Sequence, residues 1–201
     1  MSNSNVLTNY KGLLTDLNNL NKETEQKVIS RTPDEFVTRN INFFTKSFTI
    51  TICAYLESFL KDISMTVIDE SNRKLGETKF AYNLIKWSVT KKKELRDLSD
   101  SELSFEDLKI NISRKELDDF ISASPYKTEK LFKKIGVNLY ENETYNEQKD
   151  KVQSIVTKRN NIVHHNDNAS DISFNDIDSN IKIILNYMEN IDLLINLELN
   201  K

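Results

Sequence analysis

Glycine and proline are scarce, with three and two among 201 residues. A chain with so few breakers makes few sharp turns, which excludes a turn-rich β-sandwich and predicts an all-α fold of long helices. Cysteine is nearly absent as well. The lone Cys53 cannot close an intrachain disulfide, and its neighbours Ile52, Ala54, Leu56 and Phe59 predict a small buried apolar residue in a reducing compartment. Paired cysteines at zinc-binding spacing and a glycine-rich phosphate loop are both missing, so neither a zinc site nor a nucleotide cradle of those types is expected. No apolar run approaches membrane-spanning length, and Met1, Ser2, Asn3, Ser4 and Asn5 show no basic region followed by an apolar stretch. A cytoplasmic protein that does not engage a membrane is therefore expected.

A cationic excess is missing too. Lys and Arg number 28 against 31 Asp and Glu, a formal net charge of -3, which excludes a protein that coats nucleic acid by bulk electrostatics. Any phosphate-binding surface must be local. Lysines cluster at Lys91, Lys92 and Lys93, at Lys127, Lys130, Lys133 and Lys134, and near Lys149, Lys151 and Lys158; each cluster taken singly reads as a solvated helix face. With 29% charged and 38% hydrophobic residues, the composition is that of a water-soluble globular protein, and the simplest organisation is one compact domain over residues 1–201.

Leu7, Tyr10, Leu13, Leu14, Leu17 and Leu20 recur at helical spacing, and the first helix is expected to end near Asn21. Thr32, Pro33, Asp34 and Glu35 predict the next start, with Thr32 as N-cap, Pro33 at the first helical position and Glu35 completing a capping box. A long central helix follows, crowded with Phe36, Phe43, Phe44, Ile52, Leu56, Phe59, Leu60, Ile63 and Val67. Within it Phe48, Thr49, Ile50, Thr51 and Ile52 alternate like a strand, but the helical flanks place them in the helix. A further helix is predicted over residues 78–93, then an acidic, serine-rich connection through Ser99, Asp100 and Ser101. Ser113 with Glu116 repeats the capping-box pattern, and Gly136 suits a helix C-cap. Residues 76–142 read as a helical insertion or lid. Tyr145, Val152, Ile155, Val156, Arg159 and Ile162 then keep helical spacing up to a polar break at His165, Asn166, Asp167 and Asn168, and Ser173 can cap a last helix from Ile177 to Ile195.

Reactive groups concentrate in one run: Lys158, Arg159, Asn160, Asn161, Ile162, Val163, His164 and His165. The two histidines are adjacent and point about 100° apart on a helix, so they do not form the paired face that metal-binding helices use. Asp167 or Asp171 could supplement one of them, but no metal and no cofactor is expected. Asn160 and His164 lie four residues apart on one face, with Arg159 one position round. Cation, amide and imidazole together suit RNA phosphodiester cleavage. An imidazole moves protons near neutral pH, arginine stabilises charge growing on the phosphoryl oxygens, and Asn160 can orient either the histidine or the phosphate. The nucleophile would be the 2′-hydroxyl, so RNA and not DNA is the implied substrate. Lys158 and His165 are candidate RNA contacts. Arginine and histidine at a helix C-terminus also satisfy free carbonyls and complement the helix dipole, and on spacing alone that structural role is the favoured one.

Arg159, the polar Asn160 beside it, and His164, with four residues between it and Arg159, resemble the signature of HEPN domains. The run "IVTKRNNIVHHND" is similar to the form found in RiboL-PSP-type HEPN proteins, "ISFNDIDSNIKIILNYMENIDLLI" resembles the family's final helix, and "AYLESFLKDI" its earlier long helix. These matches cover residues 33–69 and 145–197. The resemblance implies an all-α HEPN-like helical bundle that dimerises with both motifs facing one cleft. It also implies an RNase activity without metal, used in toxin-antitoxin, phage-defence or RNA-processing systems, with an antitoxin or other defence-system protein as a possible partner. Carried over, Arg159, Asn160 and His164 take the catalytic places; the chain departs from the pattern at His165, where related sequences often carry a small residue. Some HEPN domains bind RNA, nucleotides or partner proteins without cutting, and that alternative stays open.

Overall fold

A computed structural model describes residues 4–77, 79–81, 105–107, 109–165 and 170–200, with backbone alone at 79–81 and 105–107. The predicted all-α class holds. Helix α1 spans Asn5–Ile29, α2 Glu35–Arg39 and α3 Ile41–Gly76. A short antiparallel pair follows, β1 Lys79–Ala81 against β2 Phe105–Asp107. Then come α4 Arg114–Asp118, α5 Pro125–Lys134, a 3-10 turn Leu139–Glu141, α6 Glu143–His165 and α7 Phe174–Leu199.

Helix α1 begins where the Ser4 hydroxyl accepts from the Leu7 amide at 3.0 Å and buries Leu7, Tyr10, Leu14 and Leu17. It does not end near Asn21 as the apolar spacing predicts. Its buried face continues with two polar residues, Asn21, whose amide donates to the Phe174 carbonyl at 2.9 Å, and Thr24, whose hydroxyl donates to the Leu20 carbonyl. The Asn21 amide nitrogen and the Thr24 hydroxyl thus find acceptors, while the buried Asn21 Oδ1 has no partner among the described residues, and the helix runs nine residues past Leu20 to Ile29.

The cap between α1 and α2 also differs from expectation. Asp34, not Thr32, is the N-cap, its carboxylate accepting from the Val37 amide at 3.0 Å, and Pro33 lies before the helix. A carboxylate complements the helix dipole, which a threonine hydroxyl does not. Asn40, with φ -115 and ψ 22, then interrupts the helix, so α2 and α3 are separate.

Helix α3 is the axis of the bundle, burying Phe48, Ile52, Cys53, Leu56, Phe59, Leu60, Ile63, Val67 and Ile68 against α1, α6 and α7. Residues 48–52 are helical. Thr49 and Thr51 donate to the carbonyls of Thr45 and Ser47, one turn back, which removes the cost of a hydroxyl inside a packed helix. Phe36 and Phe43, read as core from the sequence, are instead exposed, at 67% and 65%.

Residues 79–81 form a strand, which contradicts the helix predicted over residues 78–93; the rest of that segment, with Lys91, Lys92, Lys93, Ser99, Asp100 and Ser101, lies outside the described residues. Past it the capping signals hold. Ser113 and Glu116 form the expected box, though only for the five residues of α4. Gly136 takes φ 88 behind α5, and the Val137 amide reaches back to the Phe132 carbonyl at 2.9 Å. Ser173 and Asp176 cap α7 reciprocally.

The directions of the long helices place the site. Ser4 meets Asp192 and Asn21 meets Phe174, so α1 and α7 are antiparallel. Tyr145 meets Tyr187 and Asn142 meets Asn190, which makes α6 antiparallel to α7. Lys74 reaches the Leu199 carbonyl, so α3 and α7 finish together. The C-terminal end of α6 therefore sits at the end of the bundle where α3 begins.

Candidate active site

Helix α6 buries Tyr145, Val152, Ile155, Val156 and Ile162. Arg159 lies at the edge of that stripe, so its aliphatic stem is drawn in while its guanidinium reaches α3. Nη2 donates to Glu57 Oε1 at 2.6 Å and Nη1 to Asn160 Oδ1 at 3.1 Å. The side chains of Arg159 and Glu57 are 20% and 32% exposed, so the pair is mostly, but not fully, withdrawn from water. Glu57 Oε1 also accepts the Ala123 amide at 3.3 Å, from the connection between α4 and α5. Three segments of chain thus converge on one carboxylate oxygen.

Cys53 lies one helical turn before Glu57 and is fully buried. Burial pushes its thiol up to about 12, opposed by the neighbouring Arg159 guanidinium and reinforced by Glu57. A thiol so placed stays protonated and inert at neutral pH.

Asn160 is half-buried and takes its hydrogen bond from Arg159, whereas His164, one turn on along the same face, is exposed. Among the described residues no hydrogen bond joins His164 to Arg159, Asn160 or Glu57. His165 is the last residue of α6 and is also exposed. Lys158 Nζ bonds Asp171 Oδ1 at 2.6 Å, tying the end of α6 to the turn before α7. Asn166, Asp167 and Asn168 lie outside the described residues.

The structure thus brings Arg159 and Asn160 together and sets His164 beside them on open surface. It adds Glu57, which the sequence reading passed over. The signal was present: a carboxylate at the spacing of the apolar stripe, one turn from Cys53, on a helix expected to be buried on several sides, needs a cation. Arg159 is the cation that falls at helical spacing between the buried Val152, Ile155, Val156 and Ile162, which makes it the natural partner.

A family model described as RiboL-PSP-HEPN matches residues 8–197. The chain belongs to the RiboL-PSP-HEPN family. The match extends well beyond residues 33–69 and 145–197, which carry the visible resemblance. No curated protein and no solved structure shows significant similarity to the chain. HEPN membership makes the protein a nuclease-type or RNA-related module in the general sense. Among the described residues no helix is long and apolar enough to cross a membrane.

Proposed function

We propose that this HEPN chain is an endoribonuclease that needs no metal, with Arg159, Asn160 and His164 as its catalytic residues. The observation that carries the reading is the contrast within one helix end: Arg159 is held in place from two sides, and His164 projects into solvent one turn away. Cleavage forms a bond between the 2′-oxygen and phosphorus and breaks the bond to the 5′-oxygen. One imidazole takes the 2′-proton and a second delivers a proton to the leaving oxygen. Two copies of the chain supply two such histidines and two arginines, so a homodimer joined near the ends of α6 is part of the proposal. The exposed Phe36, Phe43 and Val163, on elements that start or finish at this end of the bundle, suit such an interface. A guanidinium has five N–H groups, so Arg159 can keep Glu57 and still face a phosphate. Lys158, beside Asp171, and His165 would line the RNA path. A toxin or phage-defence role, in the cytoplasm and under an antitoxin or other defence-system protein, is the setting in which such an activity makes sense.

The test is cleavage of single-stranded RNA in excess EDTA, leaving a 2′,3′-cyclic phosphate and sparing DNA of the same sequence. His164→Ala and Arg159→Ala should each lower the rate at least ~10²-fold. Asn160→Ala and His165→Ala should cost less. Folded His164→Ala and Arg159→Ala variants that both cut at the wild-type rate would refute the assignment. A second reading, a HEPN module that binds RNA, a nucleotide or a protein without cutting, is favoured by one observation: Glu57 offsets the charge of Arg159 at 2.6 Å. RNA bound but left intact by the unmutated dimer would establish it.

A further inference from the structure

Helix α5 carries four lysines against one glutamate. Lys127, Lys130 and Lys134 recur at intervals of three and four and share one face; with Lys133 all are exposed, and none makes an ion pair among the described residues. In a chain of net charge -3 this is a local cationic strip. Three aromatic side chains flank it in the open: Phe120 at 45%, Tyr126 at 47% and Tyr140 at 65% exposure. Lys134 Nζ stands 4.0 Å from the Phe120 ring centre, and Lys149 lies between the tyrosines, 5.7 Å from Tyr126 and 5.3 Å from Tyr140. Two shallow grooves border the strip. One, of about 300 Å³, has Phe120, Lys127, Lys130 and Lys134 in its walls with one acid, Asp119; the other, of about 280 Å³, has Lys130, Lys133 and Tyr140 with Glu129, whose carboxylate is paired with Lys149 at 3.6 Å.

A solvated helix face explains the lysines but not the aromatics beside them. Ammonium groups spaced along a helix neutralise successive phosphates, and open rings give unpaired bases a surface to stack on. A duplex keeps its bases stacked inside and has no use for the rings. We propose that α5, with Phe120, Tyr126 and Tyr140, is a binding surface for single-stranded RNA. The choice of RNA over another single strand rests on the proposed function. The strip also leads to the candidate active site. Ser124, at the start of α5, donates to Gln153 on α6 at 2.9 Å, and the Ala123 amide before it bonds the same Glu57 oxygen that holds Arg159. Ten residues of helix rise about 15 Å, so one short strand can lie along α5 and reach the end of α6.

The experiment is fluorescence anisotropy with a labelled oligouridylate of about 12 nucleotides, on full-length His164→Ala protein so that the strand stays whole. Replacing Lys127, Lys130 and Lys134 together by Ala should weaken binding on the order of 10-fold and flatten the slope of log affinity against log salt by about 2. Tyr126→Ala and Tyr140→Ala should each weaken it at least ~5-fold; both side chains are exposed, and a thermal melt confirms folding. Unchanged affinity and slope in the triple-lysine variant overturns the proposal. So does binding of duplex DNA or poly-glutamate as tightly as RNA with both tyrosine variants unaffected, which would make the strip a general polyanion or acidic-protein site. Unmutated protein that binds RNA through these residues yet never cuts it would sink the cleavage proposal and support this one.

Discussion

Glu57 and Arg159 can be separated in a double-mutant cycle, which tests whether the candidate site is built on their contact. Glu57→Gln keeps the size of the side chain and an oxygen that can accept, but removes the charge. The bond lost is charge-assisted, at 2.6 Å, between groups 20% and 32% exposed. Hydrogen bonds to charged groups contribute about 1.5–3 kcal/mol when buried, and exposed ion pairs about 0.2–1 kcal/mol. A pair that is mostly but not fully withdrawn from water falls between, at about 1.5 kcal/mol. For a chain of this length that lowers the melting temperature by about 3–6 °C. In an Arg159→Ala background the same Glu57→Gln change should cost almost nothing, because the carboxylate then keeps only the Ala123 amide and water. Urea denaturation of the four proteins measures the coupling. Additive effects, with a coupling below ~0.3 kcal/mol, would mean that the contact does not hold the site together. Arg159→Lys should fail to restore the wild type, since a single ammonium cannot bond Glu57 and Asn160 as a planar fork does.

The buried tyrosine pair gives an ordering. Tyr187 donates to the Tyr145 oxygen and Tyr145 to the Pro125 carbonyl, both at 3.0 Å, so Tyr145→Phe removes both of these bonds and should cost about 2 kcal/mol, against about 1 kcal/mol for Tyr187→Phe, which removes the first alone. Equal losses in chemical denaturation would refute it. At the start of α7, hydrogen bonds from the side chain and then the backbone of Ser173 hold the Asp176 carboxyl below its ordinary 3.8. A carboxylate with a lowered folded value stabilises the fold above its unfolded value, and that stability is lost as pH falls through the folded one. Ser173→Ala should therefore cost about 1 kcal/mol at pH 7 and less in acid below pH 3.8; a loss that stays constant across a pH series of thermal melts would show that the carboxylate plays no part.

Much of the bundle was legible because its helices advertise themselves twice, by apolar spacing and by caps. Ser113, Gly136 and Ser173 each sit where their side chain or backbone is needed. The misses share a cause, which is that burial and hydrophobicity part company at particular residues. Asn21 and Thr24 are buried yet polar, so α1 outruns its apolar pattern. Phe36 and Phe43 are apolar yet exposed, on the short α2 and on the first turn of α3, where each ring packs edge-on against Phe44 and stays largely open to solvent. Glu57 was hidden for the same reason in reverse. Its charge falls at a position that the period assigns to the edge of the core, and only a partner 102 residues away explains it. Distance in sequence is what a local pattern cannot span.

That pairing also explains why the motif straddles the end of α6 rather than lying within it. Packing along the helix stops at Ile162, the last buried residue, so everything up to Arg159 and Asn160 is fixed by the bundle and everything after it is not. A group that must present a steady charge gains from being on the fixed side, because no free energy is then spent on orienting it when a phosphate arrives. A group that must exchange protons gains from the other side, where water reaches it. In the proposed mechanism Arg159 and His164 are those two groups, and they occupy those two sides, five residues apart in sequence. Moving the boundary should disturb one without the other. Ile162→Ala removes the last buried contact of α6 and should cost about 2–4 kcal/mol in stability. In the protein that still folds, the frayed final turn should loosen His164 while leaving the Glu57 contact with Arg159 in place. RNA cleavage should then fall through kcat while KM for RNA stays within about twofold. An equal rise in KM would show that the end of α6 binds RNA as one unit, and the division of labour between its fixed and free halves would be wrong.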